Sequence, residues 1–445
     1  MHPKFRCAQR GQALPLALVL LVAVAAILFF MFNSGQLVQE KIRLTNTADA
    51  VAYSAGVFEA RVLNYDAYTN RAILANEIAI GQAVGLGSWA KYVSTAAANI
   101  SPWANLIPYV GTLISETLDE ISELAAESTQ FFAYAVTAHD AAMFVLKGSQ
   151  LAVHGPSNAI ALLSRRTVME EVAKRNDPSV LVDLLPLSDD FMGFTQRYES
   201  KDERKRMGQV VQDSRDAFLK SRNWDLGVVL LCNGLKFSKR GGTELIDLTE
   251  GWSSIDTFSA HLYSLDWDGC DHTEAAIGYG KAYSDDGLDD SRVDFSGSRS
   301  TNPRASSEAD DNVADGFEPP TLTGGAIPEF YDLSESVMAG SAKDDPRTSL
   351  AIRVSKPSSQ QRFSGGSSNV KPSGRLALYA GQHANAESAA ISRVEVYFER
   401  PDGKNQLSNR EEYGSLFNPY WQARLAPVSA AQRALAQVKQ GLALP

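Results

Sequence analysis

The sequence predicts a membrane-anchored α+β protein. One N-terminal transmembrane helix continues into a mainly helical domain, and a strand-rich C-terminal domain follows. Three observations carry this. Ala13–Phe32 runs for 20 residues without a charged side chain. From Asn33 to about Arg222 alanine is abundant, glycine and proline are sparse, and apolar residues recur every three or four positions, which is the period of a helix. From Trp224 onward, short apolar runs alternate with glycine- and serine-rich breaks, which is the pattern of strands and turns.

The first element is the apolar segment ALPLALVLLVAVAAILFFMF. At about 1.5 Å per residue it is roughly 30 Å long, the thickness of a bilayer's hydrocarbon core. Pro15 falls in its first turn, where a missing N–H costs little. A cleaved signal peptide would have a shorter apolar stretch ending at a small-x-small site. Here Ala25 and Ala26 lead into ILFFMF, so an uncleaved anchor is expected. Lys4, Arg6 and Arg10 precede the span and only Lys41 and Arg43 follow closely, which places the N-terminus in the cytoplasm. Residues 1–12 carry +3, so a chain of net −10 leaves −13 for the exported remainder.

The helical region opens with a 4-3 alternation through Leu44, Ala48, Val51, Ala55, Phe58, Val62 and Tyr65. Its small residues suit close approach of another helix, either the chain's own next one or that of another protein. The helix turns in ISPWANLIPYVG (Ile100–Gly111), where Pro102, Pro108 and Gly111 break it. Trp89, Tyr92, Trp103 and Tyr109 gather there, as rings that fill the gap under the turn or meet a membrane or a partner. Further helices are expected over 113–150 and 157–176, with another pair up to Lys220. Phe131–Lys147 reads as a buried helix, because His139 and Asp140 sit at its centre and it is too short to span a bilayer.

The strand signals are LGVVLLC (Leu226–Cys232), TFSAHLYSLDW (Thr257–Trp267), SLAIRVS (Ser349–Ser355), RLALYA (Arg375–Ala380) and RVEVYFE (Arg393–Glu399), with KRGG (Lys239–Gly242) as a turn. Residues 285–318 hold ten acids against three arginines. Such a stretch is expected to be mobile, since it has little apolar area to offset its ordering entropy. A last helix starts at about Ala430. The expected division is therefore 1–12 cytoplasmic, 13–32 transmembrane, 33–222 helical, 223–284 strand-rich, 285–328 an acidic disordered loop, and 329–445 strand-rich with a C-terminal helix.

Composition excludes several classes. A chain of net charge −10 has no general pull on phosphate backbones, so nucleic acid is not an expected partner. Three cysteines and six scattered histidines build no zinc site, and no catalytic constellation stands out. No cofactor is expected. Cys232 and Cys270 would lie in an oxidising compartment and pair across 38 residues, with two buried thiols as the alternative. Gly85-Leu-Gly87-Ser-Trp-Ala90 follows a helix rather than the strand a dinucleotide fingerprint needs. Asp332-Leu-Ser334-Glu-Ser336 has the letters of an adhesion-type metal motif, without its flanking strand. Asp266, Asp268, Asp271, His272 and Glu274 have the oxygen density of a calcium loop but not its spacing; a solvated acidic turn is expected.

Arg10-Gly11-Gln12 before the apolar run, and Asn46-Thr47-Ala48-Asp49-Ala50-Val51-Ala52 behind it, resemble the TadE/TadG-like proteins of tight-adherence (Flp) pilus systems. The resemblance covers about the first fifth of the chain. It implies a bacterial envelope protein anchored in the inner membrane and associated with pilus assembly. With the single span, its flanking charges and no catalytic constellation in the sequence, a non-enzymatic, single-pass role with the C-terminal part periplasmic or extracellular is expected. The expected partners are other membrane-anchored pilus components, or further copies of this protein, met through Leu44, Ala48, Val51, Ala55, Phe58 and Val62. The runner-up is an exported, membrane-anchored binding protein or adhesin, with calcium at Asp266–Glu274.

Overall fold

The computed structural model describes residues 13–155, 158–267, 269–285, 302–311, 317, 319–323, 326–339, 345–364, 366–369, 387–400 and 413–440. In chain order the elements begin with α1 (Ala13–Ala104), α2 (Gly111–His154), α3 (Ala159–Asn176), β1 (Leu181–Asp189), β2 (Thr195–Tyr198), α4 (Lys201–Asp213) and α5 (Ala217–Lys220). The meander β3 (Trp224–Leu230), β4 (Asn233–Ile246), β5 (Gly251–Asp266) and β6 (Gly269–Tyr283) follows, then α6 (Pro303–Asp311). The chain ends with β7 (Phe330–Leu333), α7 (Glu335–Ala339), β8 (Arg347–Pro357), β9 (Glu387–Phe398), β10 (Trp421–Ala426) and α8 (Ala430–Lys439).

These elements form two compact units: Met1–Asn64 with His154–Thr195 and Leu333–Pro445, and Tyr65–Val153 with Gln196–Asp332. The helix α1 contributes to both. The division differs from the sequential one that the sequence suggests. The region 33–222 is not wholly helical, because β1 and β2 lie inside it. β1 pairs with β8 across more than 150 residues, with Leu181 opposite Ser355. Local periodicity carries no trace of so distant a partner.

In the first unit, an antiparallel sheet of order β1-β8-β9-β10 is covered by helices. One face packs against α1 and α3: Leu44, Ala48, Val51, Ala52 and Ala55 meet Met169, Ala173, Leu350, Ile352, Val354 and Val394 in one core. On another cluster of the same sheet, Leu185 and Ala351 meet Ala436 of α8. With helices on both sides, β8 is buried along most of its length, and its buried Arg353 and Lys356 are held in ion pairs with Asp183, Glu387, Glu40 and Asp177. Ser429 and Gln432 form a capping box that starts α8.

In the second unit, α1 after Asn64 and α2 form a helical hairpin whose turn spans residues 105–110. The meander β3-β4-β5-β6 lies against α1: Thr95 Oγ1 donates to the Tyr279 carbonyl and accepts from its N–H. Residues 239–242, expected as a turn, lie within β4 and pair with β5. Gly241 is there for space, since a Cβ would stand 2.2 Å from Asp256 Oδ1. Part of the acidic stretch 285–318, expected to be mobile, is helical. In α6, Ala305 and Ala309 are buried and Ala309 packs against Ile255. The Glu274 carboxylate accepts from the N–H groups of Arg304 and Ala305 and caps this helix; a few small apolar anchors and a carboxylate at the helix start suffice to order it. Much of the remaining acidic stretch, and the expected strand 375–380, lie outside the described residues. The segment 131–147, expected to be buried, is amphipathic: Ala133, Val136, Asp140 and Met143 are buried, while Phe131, Tyr134 and Val145 face outward.

Candidate functional site

The segment with the most specific arrangement is α1 from the apolar run to Asn64. Ala13–Phe32 is exposed except for a half-buried Phe29. It belongs to the one helix among the described residues that is long and apolar enough to cross a membrane. Burial begins at Asn33, whose Nδ2 donates to the Phe29 carbonyl while its Oδ1 accepts from Ser364 N–H at 2.8 Å. No glycine–proline break separates the apolar run from the packed one, so they form one helix.

Behind Asn33, two buried ionic clusters flank the apolar stripe. Lys356 on β8 donates to Glu40 at 3.0 Å and to Asp177 at 2.9 Å, and Arg43 reaches Asp177 at 3.5 Å. Burial tends to raise the Asp177 carboxyl. Hydrogen bonds from Ser179 and Lys356 outweigh it and hold that group down at about 2. At the other end Arg165 of α3, itself buried, pairs with Glu59 and with Asp189. Burial pushes Glu59 up to about 7, against the opposing pull of Arg165. Buried pairs of this kind add little net stability but make loss of one partner expensive, so they fix register.

The predicted interaction stripe is therefore internal to the chain. Leu44, Ala48, Val51, Ala55 and Val62 are buried and Phe58 is half-buried. The first four pack against the chain's own sheet and α3. The expectation that this face meets another protein's helix is corrected: β8 and β9 occupy it. Small residues serve close approach here too, because a Cβ on Gly56 would stand 2.3 Å from Val394 Cγ2. What sequence reasoning missed was the acids. The signal was present: Glu40 lies four residues before Leu44 and Glu59 four after Ala55, in line with the stripe.

Three further candidates lie elsewhere. Cys232 and Cys270 stand at adjacent hairpin turns with Cα atoms 5.4 Å apart, inside the range a disulfide spans. Of the proposed calcium residues, Glu274 is engaged in capping α6 and with Ser259 at 2.7 Å, His272 bonds His261 at 2.8 Å, and the Asp266 and Asp268 side chains lie outside the description. Among the described residues no group of three or more His, Cys, Asp or Glu is placed to hold a metal. Ser334 and Ser336 of the adhesion-like motif bond each other, and Ser334 also donates to the Gly193 carbonyl.

A cleft lined by Arg166, Met169, Glu170, Val182, Asp183, Leu184 and Lys439 has a volume of about 240 Å³. That is below the size of ordinary ligand sites. The second unit holds its own buried ion set. Asp256 pairs with Arg222 at 2.8 Å and with Lys239, and accepts from Ser88 at 2.9 Å. Burial opposes the Asp256 charge, yet the two cations hold its carboxyl below the ordinary range. Burial also lowers Lys239, only partly countered by Asp256. All these groups are compensated within the fold.

The site is thus an apolar segment long enough to cross a membrane, continuous with a helix locked into a sheet by ionic clusters. Residues 11–60 match the Flp pilus-assembly TadE/G-like family model. The matched stretch begins just before the apolar run and ends one residue past Glu59, so it covers the apolar run, most of the small-residue stripe, and both Glu40 and Glu59. The TadE/G-like match supports involvement of the chain in Flp pilus assembly. No curated protein and no solved structure is found to match the chain.

Proposed function

We propose that this chain is a non-enzymatic structural component of a tight-adherence (Flp-type) pilus assembly or secretion apparatus. It is held in the bacterial inner membrane by Ala13–Phe32, with residues 1–12 cytoplasmic and everything after Phe32 exported. The observation that carries this reading is the unbroken passage of α1 from its apolar run into the core of the first unit. A flexible tether would leave the exported part free to diffuse about its anchor. A helix locked at Asn33, Glu40 and Glu59 instead transmits position and load from the bilayer to the folded part, which is what an assembly scaffold requires. The buried ionic groups along α1, Glu40 and Glu59, are paired within the fold to Lys356 and Arg165.

Deletion of the gene in a bacterium that carries it should abolish Flp pili while leaving the pilin synthesised. Wild-type chain should restore them, and chain with a flexible glycine–serine insert between Phe32 and Asn33 should not. Normal piliation in the deletion strain would overturn the reading. A second reading, an exported binding protein, is favoured by the hairpin turns that expose Leu231 and Trp267 fully to solvent. It predicts intact pili and lost surface binding in the same strain.

A further inference from the structure

The tip of the helical hairpin of the second unit is built inside out. From Tyr92 to Ser115 the chain carries no charged side chain over 24 residues. Soluble hairpins place large apolar residues between the helices and polar ones outside. Here the reverse holds. Between the helices lie Ala97, Ser101, Ala104 and Ser115, all buried. Ser101 and Ser115 share a hydroxyl–hydroxyl bond of 2.6 Å, and Asn105 Nδ2 donates to Ser115 Oγ at 3.0 Å. Further back, Ser94 and Ser122 bond at 3.2 Å. A Cβ on Gly111 would stand 2.5 Å from the Ala104 carbonyl, so the two backbones nearly touch at the turn. Outside stand Trp103 and Leu106, each 72% exposed, Leu113, and Tyr109, whose positive φ of 72° turns it fully outward. Small residues and hydroxyl bonds inside with large apolar residues outside is how helices pack in lipid, where burial between helices gains nothing over burial in hydrocarbon.

We propose that the hairpin tip, Ile100–Ile114, inserts into the interfacial layer of a lipid bilayer. Trp103 and Tyr109 are the ring types that settle at the headgroup level. Within the turn the N–H groups of Leu106, Ile107 and Gly111 donate to the carbonyls of Trp103, Ala104 and Ile107, which reduces the hydrogen bonding to water lost on entry. Depth is limited by Glu116, which lies about 8 Å along α2 from Gly111. That matches the roughly 5–10 Å reach of interfacial insertion and is far short of a span. A second copy is a poorer occupant. Two helices of about 10 Å diameter present an end of roughly 200 Å², against about 800 Å² per partner in a stable interface.

The test uses the full chain reconstituted in phosphatidylcholine liposomes through its own N-terminal segment, with protein-free vesicles added. A Leu106→Cys variant in a Cys7→Ser background carries an environment-sensitive fluorophore, with Glu116→Cys as the reference position. Doxyl-labelled lipid in both vesicle populations should quench the label at 106 by about twofold or more and leave the label at 116 nearly unchanged, given the interfacial preference of the tip. Adding Trp103→Asp and Tyr109→Asp should lower the lipid-contacting fraction about tenfold, a charge in that layer being costly. Because both rings are exposed, circular dichroism should stay that of the wild type. Emission at 106 insensitive to doxyl lipid would overturn the proposal, and so would a shift that depends on protein concentration alone, the mark of copy-to-copy contact.

Discussion

Gly56 of α1 and Val394 of β9 stand so close that a Cβ at position 56 would fall 2.3 Å from Val394 Cγ2. This contact decides what the small-residue stripe is for. Gly56→Val, or Ala48→Leu two turns earlier, should destabilise the first unit by about 1–3 kcal/mol through overpacking. The measure is the thermal unfolding of purified, detergent-solubilised chain with no partner present. Were the stripe a docking face for another protein, these variants would leave the melting temperature of the isolated chain unchanged.

Arg165→Met should be costly because it leaves the Glu59 charge buried. A loss of about 3–5 kcal/mol is expected at pH 8 for one partner removed from a buried pair. At pH 5, where burial favours the protonated Glu59 carboxyl, the loss should shrink. The double variant Glu59→Gln, Arg165→Met should recover much of the stability at pH 8. Equal losses in the single and double variants would show that Arg165 acts through Asp189 instead.

The fold was legible in the sequence to the extent that its signals were local. The apolar run, the continuity of α1, a turn within Ile100–Gly111, the change to strands at Trp224, a strand over Ser349–Ser355 and the helix from about Ala430 follow from composition and period alone. The pairing of β1 with β8 and the interleaving of the two units were not legible, because nothing near Leu181 encodes a partner at Ser355. The site was half legible. The 4-3 alternation located the buried face of α1, but a sheet and a helix bury the same small residues, so the pattern could not name what covered them. Glycines misled once, at Gly241 and Gly242, which continue β4 rather than turn the chain; Gly241 makes room for Asp256.

Glu77 links stability to pH. Burial pushes its carboxyl from 4.5 up to about 8, only partly countered by the Trp252 Nε1–H that donates to it at 3.3 Å. Glu59 stands at about 7. In both the folded state holds the proton more tightly than the unfolded chain does. Their stabilising contribution is therefore complete below pH 4.5 and is lost as pH rises through 7 and 8. The melting temperature should fall from pH 5 to pH 9. Glu77→Gln, which mimics the protonated group and keeps an acceptor for Trp252, should flatten the upper part of that fall. An unchanged slope in Glu77→Gln would place the pH dependence elsewhere.

Asp256 holds two buried cations, Arg222 and Lys239, in the second unit. Asp256→Asn keeps the shape and removes the charge, so the two cations face each other uncompensated. A destabilisation of about 3–5 kcal/mol is expected, read by denaturant unfolding. Lys239→Met on that background should restore part of it, since Arg222 still donates to the Ser254 hydroxyl at 2.9 Å and the Phe218 carbonyl at 2.9 Å. No recovery on adding Lys239→Met would mean that hydrogen bonding to Asp256, rather than charge balance, is what the cluster supplies.

Cys232 and Cys270 report on topology. Cys232 lies in the β3–β4 turn and Cys270 in β6 just past the β5–β6 turn, with Cα atoms 5.4 Å apart. Leu231 and Cys232 both take left-handed backbone angles, φ 47° and 62°, in a two-residue turn where asparagine and glycine would be the unstrained choice. Such a turn is easier to hold if it is tied to its neighbour. If the chain beyond Phe32 is exported, these thiols meet an oxidising compartment and close, whereas Cys7 stays reduced. Cells quenched with acid and denatured without reductant should then show one thiol reactive to a maleimide–polyethylene glycol, and three after reduction. Closing 38 residues is worth at most about 4 kcal/mol in the chain-entropy model. The observed loss in Cys232→Ser, Cys270→Ser should be smaller, because β-pairing already restrains both turns. Three reactive thiols without reductant would put Cys232 and Cys270 in a reducing compartment and remove the exported orientation with them.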